Sequence, residues 1–193
     1  ELTQAGHQVL CLSISSRLSG TYANEAVCAR EIGGGNIRVV DTLTTAGGLY
    51  ILVRAARELI DAGYSLEETA SKIEEMRSSV KTLFTVEDME PLRRSGRLGP
   101  VRQSVCTVLN VRPLLTCREG AVVSCGMVRG HNEQMRALDQ AVPENAGCIV
   151  VQYIRNINGA RQLQHRLESR LNKAVLLRPI GPVLAIHLGV DMI

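Results

Sequence analysis

The sequence predicts an α/β protein of two domains, and three observations support that prediction. Its 193 residues are enough for one large domain or two small ones. Before residue 80, short β-branched runs alternate with amphipathic stretches, as in parallel βαβ units. After residue 81, two apolar runs flank a glycine turn, which predicts a hairpin. We therefore expect an N-terminal parallel βαβ-type domain over 1–80 and a C-terminal α/β domain with an antiparallel or mixed sheet over 81–193.

The N-terminal domain is predicted to alternate strands with helices. Apolar β-branched runs predict the strands, and apolar residues on one face followed by glycine predict the helices. In order, the elements are the strand Val9–Ile14, the helix Thr21–Ile32, the strand Ile37–Val40 and a helix from about Gly47 to Ala62. Ser65 stands three residues before Glu68, which is the spacing of a capping box and predicts the start of a third helix.

The C-terminal domain is predicted to mix a hairpin with further strand and helix units. Pro91 follows Asp88 closely enough to lie in the first turn of a short helix. The remaining elements, in order, are the strand Thr82–Val86, the hairpin strands Val111–Thr116 and Ala121–Val128, the helix Asn132–Ala141, the strand Cys148–Ile154, the helix Gly159–Asn172 and the strand Ala174–Pro179.

Composition excludes several classes of protein. Aromatic residues make up only 3% of the chain, too few for the stacking platforms of single-stranded nucleic acid binders. No uncharged stretch approaches the roughly 18 apolar residues that a membrane span needs. The net charge is +3, and only three of the 22 basic residues are lysines. Because arginine suits planar anions better than lysine does, this bias favours an anionic ligand or partner.

The six cysteines show neither a disulfide framework nor a zinc pattern. Cys11, Cys106 and Cys148 lie within apolar runs, where a thiol acts as a small hydrophobic group. This usage favours a reducing compartment, and we expect a cytoplasmic protein that holds no metal and no cofactor.

The segment from residue 15 to residue 21 is the most informative motif. It joins a buried strand to the start of a helix, where free backbone N–H groups and the positive end of the helix dipole favour anions. Short hydroxyl side chains can donate to an oxyanion there, and a glycine lets it approach. The candidate ligand residues are Ser15, Ser16, Ser19, Gly20 and Thr21.

Other roles for this loop remain open. Ser19 or Thr21 would also serve as an ordinary helix cap. A serine nucleophile would need a histidine base, and the four histidines are all distant in sequence. The glycine fingerprints of nucleotide-binding loops are absent from the segment, so a nucleotide phosphate is not the expected ligand.

Five motifs in one order resemble the DegV family, whose members include the fatty-acid-binding subunit of bacterial fatty acid kinase. The segment Ser15–Tyr22 resembles that family's serine-rich signature. The others are Val40–Thr42 at a strand end, the turn Ser95–Leu98, the Val-Arg-Gly of Val128–Gly130, and the histidine motif of Gly181–Gly189. Together the five motifs are distributed over nearly the whole length of the chain, from Ser15 to Gly189.

The resemblance implies a two-domain carrier of the EDD fold that holds a long-chain fatty acid in a tunnel between its domains. By that resemblance, Ser16 with Ser15 beside it would hydrogen-bond the carboxylate, and His187 would belong to the same polar network. Arg97 and Arg129 would lie near the mouth, where a fatty acid kinase docks. The implied protein is a carrier, not an enzyme, with no nucleic acid partner and no stable membrane insertion.

The chain also departs from that family's pattern. The family's upstream Thr-Ser-Gln-Pro-Ser motif has no counterpart after Glu1, so we expect an incomplete first domain. The Gly-Pro-Gly that usually follows the histidine is replaced by Gly189-Val190-Asp191, and we expect the family's last helix to be missing after Ile193.

Two alternatives belong to other classes of protein. The related fold of dihydroxyacetone kinases binds a small polyol through a histidine, so His187 with Ser16 would serve a hydroxyketone phosphotransfer enzyme. A basic interaction module is the third interpretation, and it predicts nucleic acid binding with a steep salt dependence. The fatty acid carrier remains the main prediction.

Overall fold

The computed structural model describes residues 1–33, 35–98 and 111–193, and it confirms the predicted α/β class. The described chain divides into two compact units. The first comprises Glu1–Lys81 together with Cys117–Ala121, and the second comprises the described parts of Thr82–Thr116 and Val122–Ile193. Whether these units fold as separate domains divided at residue 80 stays a prediction.

The first unit is built on two parallel strands. Its elements are β1 (Val9–Ser13), α1 (Thr21–Ile32), β2 (Ile37–Asp41), α2 (Ala46–Asp61) and α3 (Leu66–Met76). Strands β1 and β2 pair in parallel from Val9 opposite Ile37 to Ser13 opposite Asp41, which confirms the predicted pairing. Because the strands run the same way, both carboxyl ends lie at one edge of the pair, and the hydroxyl-rich loop leaves from that edge.

The core of the first unit lies between the strand pair and helices α2 and α3. Its fully buried apolar residues are Val40, Leu52, Ala56, Ala70 and Ile73. Helix α1, by contrast, has no fully buried residue. The α2–α3 layer therefore supplies the hydrophobic stabilisation of this strand pair.

Helix α3 begins with the predicted capping box. The Ser65 hydroxyl accepts from the Glu68 N–H, and the Glu68 carboxylate accepts from the Ser65 N–H at 2.9 Å. The Ser65 hydroxyl also donates to that carboxylate, and these bonds lower the pKa of Glu68 because they favour its charged form. The reciprocal bonds satisfy two N–H groups that the helix itself leaves unpaired.

The second unit contains a three-stranded sheet in the order β3-β4-β5 and a separate parallel pair, β6–β7. In the described ranges its elements are β3 (Phe84–Thr85), α4 (Glu90–Arg94), β4 (Val111–Arg118), β5 (Ala121–Arg129), α5 (Gly130–Gln140), β6 (Val150–Tyr153), α6 (Ile157–Leu171), β7 (Leu176–Pro179) and α7 (Pro182–Leu188). The ends of β4 and β5 at Cys117–Ala121 belong to the first unit. Strands β3 and β4 are antiparallel. The expected combination of antiparallel and parallel strands is therefore present.

One predicted strand of this unit is shorter than expected. The strand predicted over Thr82–Val86 is only two residues long, Phe84 and Thr85. Within the histidine motif, the segment Pro182–Leu188 forms the helix α7, with Pro182 in its first turn. Ile186 on that helix is 74% exposed, so the apolar run before His187 is not simply core.

Two observations bear on the excluded classes. No helix in the described ranges is both long and apolar enough to cross a membrane. Nor do those ranges contain a group of three or more histidine, cysteine or acidic side chains that could hold a metal ion. Cys106 lies outside the described residues, and the other five cysteines form no disulfide with one another.

Candidate functional site

The hydroxyl-rich loop runs from the end of β1 to the start of α1, and its backbone is fixed by neighbouring groups. The Ser15 N–H donates to the Thr44 carbonyl at 2.9 Å, and the Ser16 N–H donates to Asp41 Oδ1 at 3.1 Å. The N–H groups of Leu18 and Ser19 both donate to the Ser15 carbonyl. The loop therefore has one defined course at the carboxyl edge of the strand pair.

Ser15 is completely buried, and its hydroxyl is engaged on both sides. It donates to the Gly120 carbonyl at 2.7 Å and accepts the Arg17 N–H at 3.2 Å. A carboxylate ligand would need the hydroxyl proton that Gly120 already receives. Ser15 thus holds the loop together in this structure.

Ser16 differs from its neighbour because its side chain is exposed. Its N–H is anchored on Asp41, whereas its hydroxyl forms no hydrogen bond within the described part of the chain. Of the two adjacent serines, Ser16 is the one whose hydroxyl is available to an incoming anion.

Ser19, Gly20 and Thr21 form the junction with α1. The hydroxyls of Ser19 and Thr21 are 2.8 Å apart, and Ser19 Oγ accepts the Thr21 N–H at 3.3 Å. The N-cap residue itself is Gly20, which has no side chain to bond the helix. A Cβ at Gly20 would meet nothing within 4 Å, so open space lies beside this position. The junction combines a local hydroxyl pair with an unobstructed approach.

Asp41, at the end of β2, organises the loop and its neighbouring turn. Its Oδ1 accepts both the Ser16 N–H and the Leu43 N–H, each at 3.1 Å. Leu43 has a positive φ of 50°, a costly conformation for leucine that this bond helps to hold. In the sequence, Asp41 stands out only as part of the strand-end motif Val40–Thr42, which assigns it no role.

Two more buried hydroxyls lie near this edge. Ser13 and Thr44 are almost fully buried, and neither hydroxyl has a hydrogen-bond partner among the residues that the structure describes. The Thr42 hydroxyl is satisfied, since it donates to the Ser13 carbonyl at 2.7 Å. The edge around the serine loop is therefore polar as well as buried.

The turn between β4 and β5 completes this part of the first unit. Arg17 donates through Nη1 to the Glu119 carbonyl at 3.3 Å, and the Cys117 thiol donates to the Leu43 carbonyl at 3.4 Å. Burial raises the pKa of Cys117, which keeps the thiol protonated and disfavours a nucleophilic thiolate. Burial likewise raises the pKa of Cys11. Neither cysteine has the character of a catalytic nucleophile.

The other predicted site residues belong to the second unit. His187 lies on α7 and is half-buried, with its Nδ1 buried and without a hydrogen-bond partner in the described ranges. Arg97 follows the turn at Gly96 and donates to the Ser95 carbonyl. Arg129 ends β5 with an exposed side chain, and its N–H donates to the Glu133 carboxylate at 2.6 Å. Their shared role with the serine loop stays a prediction.

Comparison with known proteins decides the family. A family model described as "Uncharacterised protein, DegV family" matches residues 1–193. The chain belongs to the DegV family. The resemblance inferred from the five sequence motifs is thereby confirmed.

Individual DegV relatives agree with this assignment. A DegV domain-containing protein of Streptococcus pyogenes serotype M1 is 32% identical over 190 residues, covering 94% of this chain and 66% of that protein. A fatty acid-binding protein of Thermotoga maritima is 30% identical over 189 residues, covering 94% of this chain and 65% of that protein. The chain thus spans slightly less than two thirds of the length of these relatives.

A solved DegV structure supports the fold. The structure that reports fatty acid binding by a DegV family protein from Thermus thermophilus matches with a TM-score of 0.78 and 30% identity. The match covers 96% of this chain and 68% of that one. The predicted α/β fold class is therefore confirmed by this structural match as well as by the elements of the chain itself.

Within this DegV chain, the described loop has the chemistry of a recognition site. The exposed Ser16 hydroxyl, which has no partner among the described residues, can donate to an anion, while the carboxylate of Asp41 is engaged by two backbone N–H groups. Within the described residues, no histidine is hydrogen-bonded to Ser15, Ser16 or Ser19. An exposed hydroxyl on an anchored backbone suits the binding of an oxyanion.

Proposed function

We propose that this chain binds a long-chain fatty acid through the Ser16 hydroxyl and carries it without transforming it. The observation that carries the proposal is the contrast between the two adjacent serines. The Ser15 hydroxyl donates to the Gly120 carbonyl, whereas the Ser16 hydroxyl is exposed and lies on a backbone that Asp41 anchors. Relatives from Thermotoga maritima and Thermus thermophilus that are 30% identical are named for fatty acid binding, which supports an acyl ligand.

The tail and the head group of such a ligand contribute differently. Burying about fifteen methylenes yields ~12 kcal/mol before ordering costs, at ~0.8 kcal/mol each. A hydrogen bond to a charged group contributes only about 1.5 to 3 kcal/mol. The tail therefore sets the affinity, and the Ser16 hydroxyl sets which end of the ligand lies at the loop.

The presented carboxylate is the group on which a partner enzyme would act. We place Ser19, Gly20 and Thr21 beside it, with His187 in its polar network, and a fatty acid kinase docking through Arg97 and Arg129. The tunnel between domains that the family resemblance implies remains part of this proposal. We also propose a reducing, cytoplasmic location, because Cys11 and Cys148 lie within apolar runs, where a thiol acts as a small hydrophobic group.

Extraction of the bound ligand tests the proposal directly. The protein is purified from cells without detergent, extracted with organic solvent and analysed by mass spectrometry. A stoichiometric fatty acid supports the carrier. A bound hydroxyketone, or an extract without lipid from protein that also fails to bind added palmitate, would refute it in favour of the enzyme or the interaction module.

Ser16→Ala tests the role of the exposed hydroxyl. We expect the affinity for palmitate to fall about tenfold, since one hydrogen bond to a carboxylate is lost. Stability should be unchanged, because the Ser16 hydroxyl has no partner in the described part of the chain. Titration with a fluorescent fatty acid measures the affinity, and Ser169→Ala, an exposed serine of α6 in the second unit, is the control. Equal affinity of Ser16→Ala and the wild type would exclude Ser16 as the head-group ligand.

Arg129→Ala tests the partner surface. Because the Arg129 guanidinium is exposed and its backbone N–H makes the bond to Glu133, the variant should fold and bind palmitate as the wild type does. We expect phosphorylation of the bound fatty acid by the cognate kinase to slow at least severalfold, as for loss of an interfacial charge. Arg136→Ala, an exposed arginine on α5, is the control. Parallel loss of lipid binding and phosphorylation in Arg129→Ala would contradict a docking role.

A further inference from the structure

The turn between β4 and β5 is hydrogen-bonded through its backbone carbonyls to side chains of the serine loop. The turn consists of Glu119 and Gly120, both with positive φ, of 49° and 83°. Their carbonyls are the two acceptors for the loop: Glu119 accepts from the Arg17 guanidinium and Gly120 from the Ser15 hydroxyl. Two loop residues, Ser15 and Arg17, are therefore bonded to the two consecutive residues of the turn.

Gly120 is the one position of this contact that tolerates no side chain. Its φ of 83° lies in the region that favours glycine. A Cβ there would also clash with Ser15 Oγ and come within 3.1 Å of Leu43 Cδ2. Since Gly120 is fully enclosed by these groups, an added methyl group has to displace the loop, the turn or both.

Displacing Ser15 would move the proposed ligand contact as well. Ser16 is the next residue, and its backbone N–H is held by Asp41. The loop is thus fixed at Ser15 by the turn and at Ser16 by the end of β2. Together the two anchors determine where the Ser16 hydroxyl is presented.

We propose that Gly120 and Ser15 are positioning residues for the carboxylate site, acting through the Ser15 hydroxyl to place the Ser16 hydroxyl. This inference rests on the proposed function and deepens it, because it assigns Ser15 to the support of the site and not to the ligand. It also brings into the site a hairpin turn that lies 105 residues away in the chain.

The test is a double-mutant cycle between the turn and the ligand contact. Gly120→Ala, Ser15→Ala and Ser16→Ala are compared singly, and the first two are also combined with Ser16→Ala. Affinity is measured by titration with palmitate and with hexadecanol, which has the same tail and no carboxylate. Gly126→Ala is the control in the same hairpin, because a Cβ there makes ordinary contact with Leu114, at 3.5 Å.

We expect Gly120→Ala and Ser15→Ala each to weaken palmitate binding about tenfold, as Ser16→Ala does, since the same hydrogen bond is lost. In the Ser16→Ala background neither should weaken it further, because the hydroxyl they position is gone. Hexadecanol binding should change less than about twofold, since its tail still supplies the affinity. A purely structural role would lower the affinities for both ligands together.

Other outcomes overturn the inference. If Gly120→Ala and Ser15→Ala are folded and bind palmitate like the wild type while Ser16→Ala does not, the positioning role is wrong and the proposed function stands. Additive losses in the combined variants also overturn it. If Gly120→Ala does not fold, Ser15→Ala alone decides, because it removes the hydroxyl without adding an atom. If the wild type binds no palmitate, the proposed function and the inference both fail.

Discussion

Decanoate is expected to bind this chain about three thousandfold more weakly than palmitate, because it lacks six methylenes that are worth ~0.8 kcal/mol each when buried. The expectation follows from the proposal that an apolar tail supplies most of the affinity. The affinities of saturated fatty acids of about ten to sixteen carbons are measured by competition against a fluorescent fatty acid. Each acid is kept below its micellar concentration.

The slope of the binding free energy against chain length separates the contribution of the tail from that of the head group. Ser16→Ala should lower every affinity by the same factor, so the two lines of free energy against chain length should be parallel. For a carrier that binds only the carboxylate, the binding free energy would not change with chain length. A site for a small hydroxyketone would bind none of the acids. Either result would contradict a buried acyl tail.

Local sequence patterns predicted the first unit well because its determinants are short-range. The run Val9–Ile14 is apolar and β-branched, and it forms β1, Val9–Ser13. The predicted helix Thr21–Ile32 has the observed bounds of α1. Ser65 and Glu68 are three residues apart, so the capping box could be identified from spacing alone. In each case the interacting groups are close in sequence, where periodicity and capping rules apply.

The support of the serine loop could not be predicted in the same way. Ser15 was expected to bind the ligand, because a hydroxyl beside a helix start is indistinguishable in sequence from one that donates elsewhere. Its acceptor, the Gly120 carbonyl, is 105 residues away. The sequence did predict the turn through Arg118, Glu119 and Gly120, but a turn motif does not specify what its carbonyls will bond. The assignment of Cys117–Ala121 to the first unit depends on the same long-range contacts.

The segment before His187 shows a second limit of pattern analysis. Four consecutive apolar residues, Val183 to Ile186, are consistent with a strand, a buried helix or a tunnel wall. The structure forms a short helix there and leaves Val183 and Ile186 exposed, at 67% and 74%. Hydrophobicity alone gave neither the type of this element nor the face that it exposes to solvent.

Leu52→Ala is expected to destabilise the first unit by about 2 to 5 kcal/mol, the range for leucine-to-alanine changes in protein cores. Leu52 on α2 is 0% exposed and belongs to the cluster of Val40, Ala56, Ala70 and Ile73, which joins the strand pair to α2 and α3. Truncation of the Leu52 side chain leaves a cavity, and the strand pair is too rigid to move inwards and fill it. Urea denaturation measures the loss, and hydrogen exchange over β2 and α3 locates it in this unit.

Val53→Ala provides a matched control on the same helix. Val53 follows Leu52 directly but is 48% exposed, so its truncation should change stability by no more than about 0.5 kcal/mol. Strands β1 and β2 carry the serine loop and Asp41 at their carboxyl ends. Leu52→Ala should therefore also weaken palmitate binding at temperatures where the first unit is partly unfolded. Palmitate should in turn raise the melting temperature of the Leu52→Ala variant, because it binds only the folded state. Equal stability of the Leu52 and Val53 variants would show that this cluster is not the core that holds the site.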